Sequence, residues 1–324
     1  MPKRARGSSP DVDDGSEKSL KRSEHVWFED GNIVLITQNT MFKVYRGLLA
    51  SASPVFRDML SIRQPELAEE IEGCPVVRLD DAVEDMSHFL TAIVDGVQVL
   101  GSSSHTDSSW PVTRALLRLG DKYGADTLFN EGKARLEKTL PNSIEAWDAL
   151  YEGETGRNSK CSYFIGMANA AREFNMKGLH LRALYRCAQL ETKILVGGCP
   201  GADGTYEHLS TVDLTACIDG RHRLHEAVIK LRSDEWAYWD GFAVEGECTC
   251  DDADVHDLRR YLNDMKWDSM DFDPLEDKFW AKNMLKENFD FCQCCTTAGL
   301  HLYEYYRRRI LGSLENFFDI EQSN

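Results

Sequence analysis

Between residues 24 and 60 the spacing of apolar positions changes once, and the change separates two kinds of structure. Trp27 and Phe28 lead into Glu29-Asp30-Gly31-Asn32. This reads as a strand entering a tight turn, because Gly accepts positive φ and Asx side chains bond back to the backbone. Ile33-Val34-Leu35-Ile36 is an unbroken apolar run with three β-branched residues, which suits a strand covered on both faces. Gln38-Asn39-Thr40 is a second turn, and Met41 to Tyr45 a further strand with Phe42 and Val44 on one side. After Tyr45 the period becomes helical: Leu48, Leu49, Ala52, Val55, Phe56 and Met59 recur every three to four residues. Ser53 before Pro54 is an N-cap followed by a first-turn proline. The pattern predicts a hairpin feeding a helix, with a capped restart at Ser53.

Further along, Pro65 ends the helical pattern, and Glu66, Glu69, Glu70 and Glu72 make an acidic connection. Gly73 to Leu79 reads as a turn and a short strand. Met86, Phe89, Leu90, Ile93 and Val94 form a helical stripe that stops at Asp95-Gly96. A Gly/Ser-rich surface loop is expected over residues 101–109. Two more helices follow, one through Leu116, Leu117 and Leu119 to Tyr123-Gly124, the other over residues 125–140. The second half reads as helical. Its stripes run through Phe164 to Phe174, through Leu179 to Leu190, and through Leu214 to Leu231 with a break at Gly220. A closing helix runs through Tyr303 to Phe318.

The order of these elements carries a family resemblance. Phe42-Lys43-Val44-Tyr45-Arg46, then Leu49-Ala50, Ser53, Phe56 and Met59, resemble the BTB/POZ pattern Phe-x-Val-His-Arg followed by Leu-Ala-x-x-Ser-x-x-Phe-x-x-Met/Leu. Tyr45 stands where the family usually has His. Gly73-Cys74-Pro75-Val76-Val77-Arg78-Leu79 and Leu119-Gly120-Asp121-Lys122-Tyr123-Gly124-Ala125 resemble the BTB proteins abundant in mushroom-forming fungi. Segments 168–185, 219–224 and 292–318 resemble the helical extension of those proteins. The expected fold class is α+β. A BTB/POZ module, a short sheet flanked by helices, spans residues 24–140. A mostly α-helical region follows over 141–324, and a disordered polar tail precedes it over 1–23.

Composition narrows the function. The formal net charge is -17, which disfavours nucleic acid and anionic membrane, since both attract basic faces. No apolar run approaches the roughly 20 residues that span a bilayer, and the start of the chain lacks an apolar signal core. Ten scattered cysteines then read as reduced thiols of a cytoplasmic or nuclear protein. Lys3-Arg4 and Lys21-Arg22 admit a nuclear localisation signal, against the plainer reading of a solvated tail.

The densest chemistry is a late cysteine group, Cys248-Thr249-Cys250 and Cys292-Gln293-Cys294-Cys295. Thiolates suit zinc, and Cys292 to Cys295 has the C-x-x-C spacing of a ligand pair. The expected ligands are Cys248, Cys250, Cys292 and Cys295, with Cys294 as the alternate, and the expected cofactor is a structural zinc clipping two segments. The competing reading is a set of intracellular thiols. Between the clusters, residues 245–277 hold twelve acids against Arg259, Arg260 and Lys266. That stretch would either dock a basic partner or keep the surface solvated. The Gly-rich run 197–204 lacks the Lys-Ser/Thr of a phosphate loop and reads as a surface loop. No nucleophile elbow, zincin helix or kinase signature occurs in the sequence.

The resemblance implies a non-catalytic protein–protein interaction protein that self-associates as a homodimer or binds a partner. Contact is expected through Val26 and Phe28 of the opening strand and Leu48, Leu49, Ala52, Phe56 and Met59 of the helix. The alternatives are a substrate adaptor for a cullin ubiquitin ligase, and a nuclear regulator without direct DNA contact.

Overall fold

The run Ile33–Thr37 (β2) is buried at every position and forms the centre of a five-stranded sheet. It pairs antiparallel with β3 (Thr40–Val44). Thr37 faces Thr40, so Gln38 and Asn39 alone make the turn, with Gln38 at φ +51°. On its other side β2 runs parallel to β5 (Cys74–Leu79). The edges are β1 (Lys21–Trp27), parallel to β3, and β4 (Glu70–Ile71), antiparallel to β5. The strand order is β1-β3-β2-β5-β4. The computed structural model describes residues 20–62, 69–96, 110–151, 163–201, 206–230, 260, 273–275, 286 and 291–320. The start of the polar tail, the 101–109 loop, Cys248, Cys250 and most of the acidic stretch lie outside the described residues.

Helices interrupt the run of strands after β3 and follow it after β5. The chain turns at α1 (Arg46–Ala52) and α2 (Pro54–Ser61), and later forms α3 (Val83–Asp95), α4 (Trp110–Lys122) and α5 (Asp126–Thr139). Val26, Ile33, Leu35, Phe42 and Val44 pack one sheet face against Leu49, Phe56, Met86, Phe89 and Leu116. Val34, Ile36 and Cys74 cluster separately, with Met41, Ile71 and Val76 packed against them. Coverage on both faces is what an unalternating apolar strand requires.

The break between α1 and α2 is held by one buried hydroxyl. Ser53 accepts a hydrogen bond from the Phe56 amide at 3.0 Å and donates to the Tyr123 carbonyl at 2.5 Å. The cap therefore also ties the α1–α2 corner to the end of α4. Phe56 stacks on Tyr123 with ring centroids 4.4 Å apart.

The C-terminal half is helical: α6 (Ile144–Tyr151), α7 (Phe164–Glu173), α8 (Lys177–Ala188), α9 (Thr192–Gly197), α10 (Thr211–Lys230) and α11 (Gln293–Gly312). A short hairpin, β6 (Cys199–Pro200) with β7 (Tyr206–Glu207), lies where a plain Gly-rich loop was expected. A second core joins these helices to the first half, because Trp110, Leu117, Leu136 and Leu140 belong to it alongside Ile165, Leu184, Tyr185 and Leu224. Thus α4 and α5 serve two cores. At Gly120 the backbone of α5 passes so close that a Cβ would lie 2.8 Å from the Phe129 nitrogen.

Two buried arginines link distant elements. Arg114 of α4 donates to Asp85 of α3 at 2.8 Å. Arg307 of α11 makes a two-armed contact with Asp148 of α6, one arm at 3.2 Å, and donates to the Leu275 carbonyl at 3.0 Å. The Leu275 amide donates to the Tyr185 hydroxyl at 3.0 Å, so the described residues 273–275 are held by both backbone groups of Leu275.

Three expectations need correction. The first strand begins at Lys21, inside the segment read as tail, because its amide finds the Asn39 carbonyl at 2.8 Å and β3 supplies a ladder that a polar sequence can use. The closing helix stops at Gly312, and Leu314–Asn316 is a 3₁₀ turn. Gly220 does not break its helix: α10 runs through it without interruption. A Cβ at Gly220 would overlap the buried Phe318 ring, so the glycine serves close packing rather than a turn. Gly220→Ala should accordingly cost about 1–3 kcal/mol by overpacking, read as a lowered urea midpoint with an unchanged slope. An unchanged midpoint would show that Phe318 moves aside freely.

Candidate functional site

The metal reading starts from where α11 begins. Phe291 is buried and anchors the chain before Cys292, the N-cap residue. Thr296 fixes the first turn: its amide donates to the Cys292 carbonyl at 2.9 Å, and its hydroxyl reaches the same carbonyl at 3.0 Å. The Cys292 sulfur does not cap the helix. It turns to Cys294, with the two Sγ atoms 2.9 Å apart. The sulfurs of Cys292, Cys294 and Cys295 all lie within 4.8 Å of one another. Cys295 is buried, and the other two are partly open. This group can hold a metal ion. Two of the four expected ligands, Cys292 and Cys295, are therefore together, and the alternate Cys294 is their neighbour. Cys248 and Cys250 lie outside the described residues.

The expected interface residues separate sharply. Leu49 is 1% exposed and Phe56 and Val26 are equally enclosed, all in the sheet core. A side chain already packed inside its own module has no surface to offer, so these three are core residues and not contact residues. Phe28, Ala52 and Met59 are half-buried. Phe28 packs at a tilt against Tyr45, with ring centroids 5.2 Å apart, and the Tyr45 hydroxyl donates to Asp30 at 2.6 Å. Leu48 alone of the set is exposed, at 41%. Val55 at 42% and Ile62 at 67% are exposed as well, and neither was in the expected set. The core takes Leu49, Phe56 and Leu60 and leaves Leu48, Val55 and Ile62 outside, and the seven-residue spacing is shared by Leu49 and Phe56, so spacing alone does not tell the two groups apart. A run with more apolar residues than one helix face can bury must leave some outside.

One His–carboxylate pair has the look of acid–base machinery. His180 of α8 and Asp213 of α10 approach to 3.1 Å, and Arg172 of α7 lies 3.0 Å from the other Asp213 oxygen. His180 and Asp213 are both buried. The three side chains come from three helices and join them, so the arrangement is a tie rather than an open site. The other buried acids are engaged in the same way. Asp81 accepts from Tyr123 at 2.5 Å and Lys122 at 2.6 Å, while Asp85 and Asp148 hold Arg114 and Arg307. Burial and the Asp81 hydrogen bond hold the Tyr123 phenol far above its ordinary range.

No family model matches the chain, and neither does any curated protein. Among the described residues, no helix is long and apolar enough to cross a membrane.

The Asp213 carboxyl carries a pH signature. Burial alone would raise it, but contacts with His180 and Arg172 outweigh burial and hold it below the ordinary value. Its contribution is complete above the unfolded pKa of about 3.9 and fades as pH falls through the lower folded value. Asp213→Asn should therefore melt below the wild type at neutral pH, with the gap closing on acidification from about pH 5 to pH 2. A gap independent of pH in thermal melts would remove Asp213 from this linkage.

Proposed function

We propose that the chain is a non-catalytic protein–protein interaction protein. It acts through the sheet-and-helix module of residues 21–139, with self-association as its first use. The observation that carries this reading is the exposed apolar pair Leu48 and Val55 flanking the α1–α2 corner, with Ile62 exposed at the far end of α2. Single exposed apolar residues need no explanation. Leu48 and Val55 are a different matter, because they flank a corner that is pinned by Ser53 and is ready-made for contact. The BTB/POZ resemblance of residues 42–59 supports the same surface. So does the use of the buried acids Asp81, Asp85, Asp148 and Asp213 as ties between elements. A standard interface buries about 1,600 Å² in total, with a few central apolar anchors carrying most of the energy. Leu48 and Val55 are suited to be those anchors.

Zinc is the metal that best fits the cysteine group, because thiolates are its preferred structural ligands. In this reading it stabilises the helical half and takes no part in a reaction.

Light scattering tests the interaction reading. The wild type should give twice the mass of one chain, and Leu48→Asp/Val55→Asp should give a single-chain mass with unchanged circular dichroism. Leu49→Asp should instead unfold the module, since a charge at that core position has no partner. A wild type that stays at single-chain mass across concentrations would end the self-association reading. Capture by a cullin that is lost in the double variant would then identify the surface as an adaptor's.

A further inference from the structure

We propose that Cys292 and Cys294 are a redox pair: a hydroperoxide joins their two sulfurs into a disulfide that spans Gln293 at the start of α11. The inference goes beyond the interaction reading above and needs no metal. It meets the zinc reading at one point, because a bridged pair no longer offers two thiolates to an ion.

Contact comes first. The Sγ atoms of Cys292 and Cys294 are 2.9 Å apart, and a disulfide closes that distance to about 2.05 Å. The backbone fits as well. Bridged cysteines have Cα atoms about 4.4–6.8 Å apart. Gln293, between the two, is the first helical residue, and helical geometry sets the Cα atoms on either side of it about 5.4 Å apart. Cys294 and Cys295 are adjacent, with Cα atoms about 3.8 Å apart, which is too short for an unstrained bridge. The buried Phe291 and the Thr296 bonds to the Cys292 carbonyl hold the backbone beneath the pair. The sulfurs therefore meet without a search through loop conformations.

Access comes second. Cys292 and Cys294 are partly open, whereas Cys74, Cys187, Cys199, Cys217 and Cys295 are buried. A dissolved oxidant reaches exposed sulfurs and spares enclosed ones. Among the described residues, the two cysteines within its reach are also in contact with each other. The chemistry balances with hydrogen peroxide as the oxidant. One sulfur attacks a peroxide oxygen, the O–O bond breaks, and a sulfenic acid and one water result. The second thiol then displaces the hydroxyl from that sulfur. The S–S bond forms, and the departing hydroxyl takes the thiol proton as a second water. Each sulfur gives up one electron, and one peroxide is reduced to two waters.

The test treats the full chain, reduced with a phosphine and desalted, with one equivalent of hydrogen peroxide, then alkylates and digests it with trypsin. Residues 287–307 emerge as one peptide whose cysteines are Cys292, Cys294 and Cys295. Mass spectrometry should find three alkyl groups on it before oxidation and one, on Cys295, afterwards. Dithiothreitol should restore all three. Cys292→Ser and Cys294→Ser should each block the bridge, and one of them should leave a sulfenic acid that dimedone labels. The wild-type map does not depend on either variant folding. A bridge from Cys292 or Cys294 to Cys295, Cys248 or Cys250 would overturn the pairing. Three alkyl groups retained after peroxide would overturn the redox reading itself. A colorimetric zinc chelator in the same reaction separates the two readings. Zinc released as the bridge forms supports both, and a bridge formed in a chain that held no zinc supports the redox pair and ends the zinc reading alone.

Discussion

The structure depends on a helix that must be apolar on two sides and still contain an arginine. Nine residues of α4 are buried, because its faces close the sheet core on one side and the helical core on the other. Arg114 sits among them with its side chain 5% exposed, and Asp85 of α3 meets it at 5%. A buried guanidinium is tolerated only with a partnered carboxylate, so α3 and α4 are bound to one relative placement. Gly120 then lets α5 approach α4 at backbone distance, and the two helices together join the halves of the chain. Truncating either core would expose the other face of the same helix pair.

The same logic recurs wherever a polar side chain is buried. Ser53 caps α2 and holds the end of α4. Arg307 holds α6 and the Leu275 backbone, and Asp213 holds α7 and α8. Each connects elements that apolar packing alone would leave free to slide, since hydrophobic contact is non-directional and hydrogen-bond geometry is not. Apart from these ties, the described residues carry exposed Leu48 and Val55 on either side of the α1–α2 corner and the sulfur cluster at the start of α11.

The sequence by itself determined the period changes and hence the elements. The apolar run of β2, a turn after it and the Ser53–Pro54 restart all stand where local chemistry places them, because each is decided within a few residues by φ preference, capping or burial on both faces. Thr40, read as part of the turn, already pairs with Thr37 as the first residue of β3. It also identified the cysteine group, since ligand spacing is a local property. It did not separate Leu48 from Leu49, because adjacent apolar residues on a short helix are equivalent until a neighbouring sheet chooses one. Gly220 read as a breaker for a related reason: the ring of Phe318 comes from the far end of the chain, and only the folded packing shows that the glycine makes room for it. The extent of β1 likewise awaited its partner, as a polar strand is a strand only when a ladder receives it. Tertiary structure decided which apolar residues are inside and which polar groups tie helices together, because each of those choices is made by residues distant in sequence.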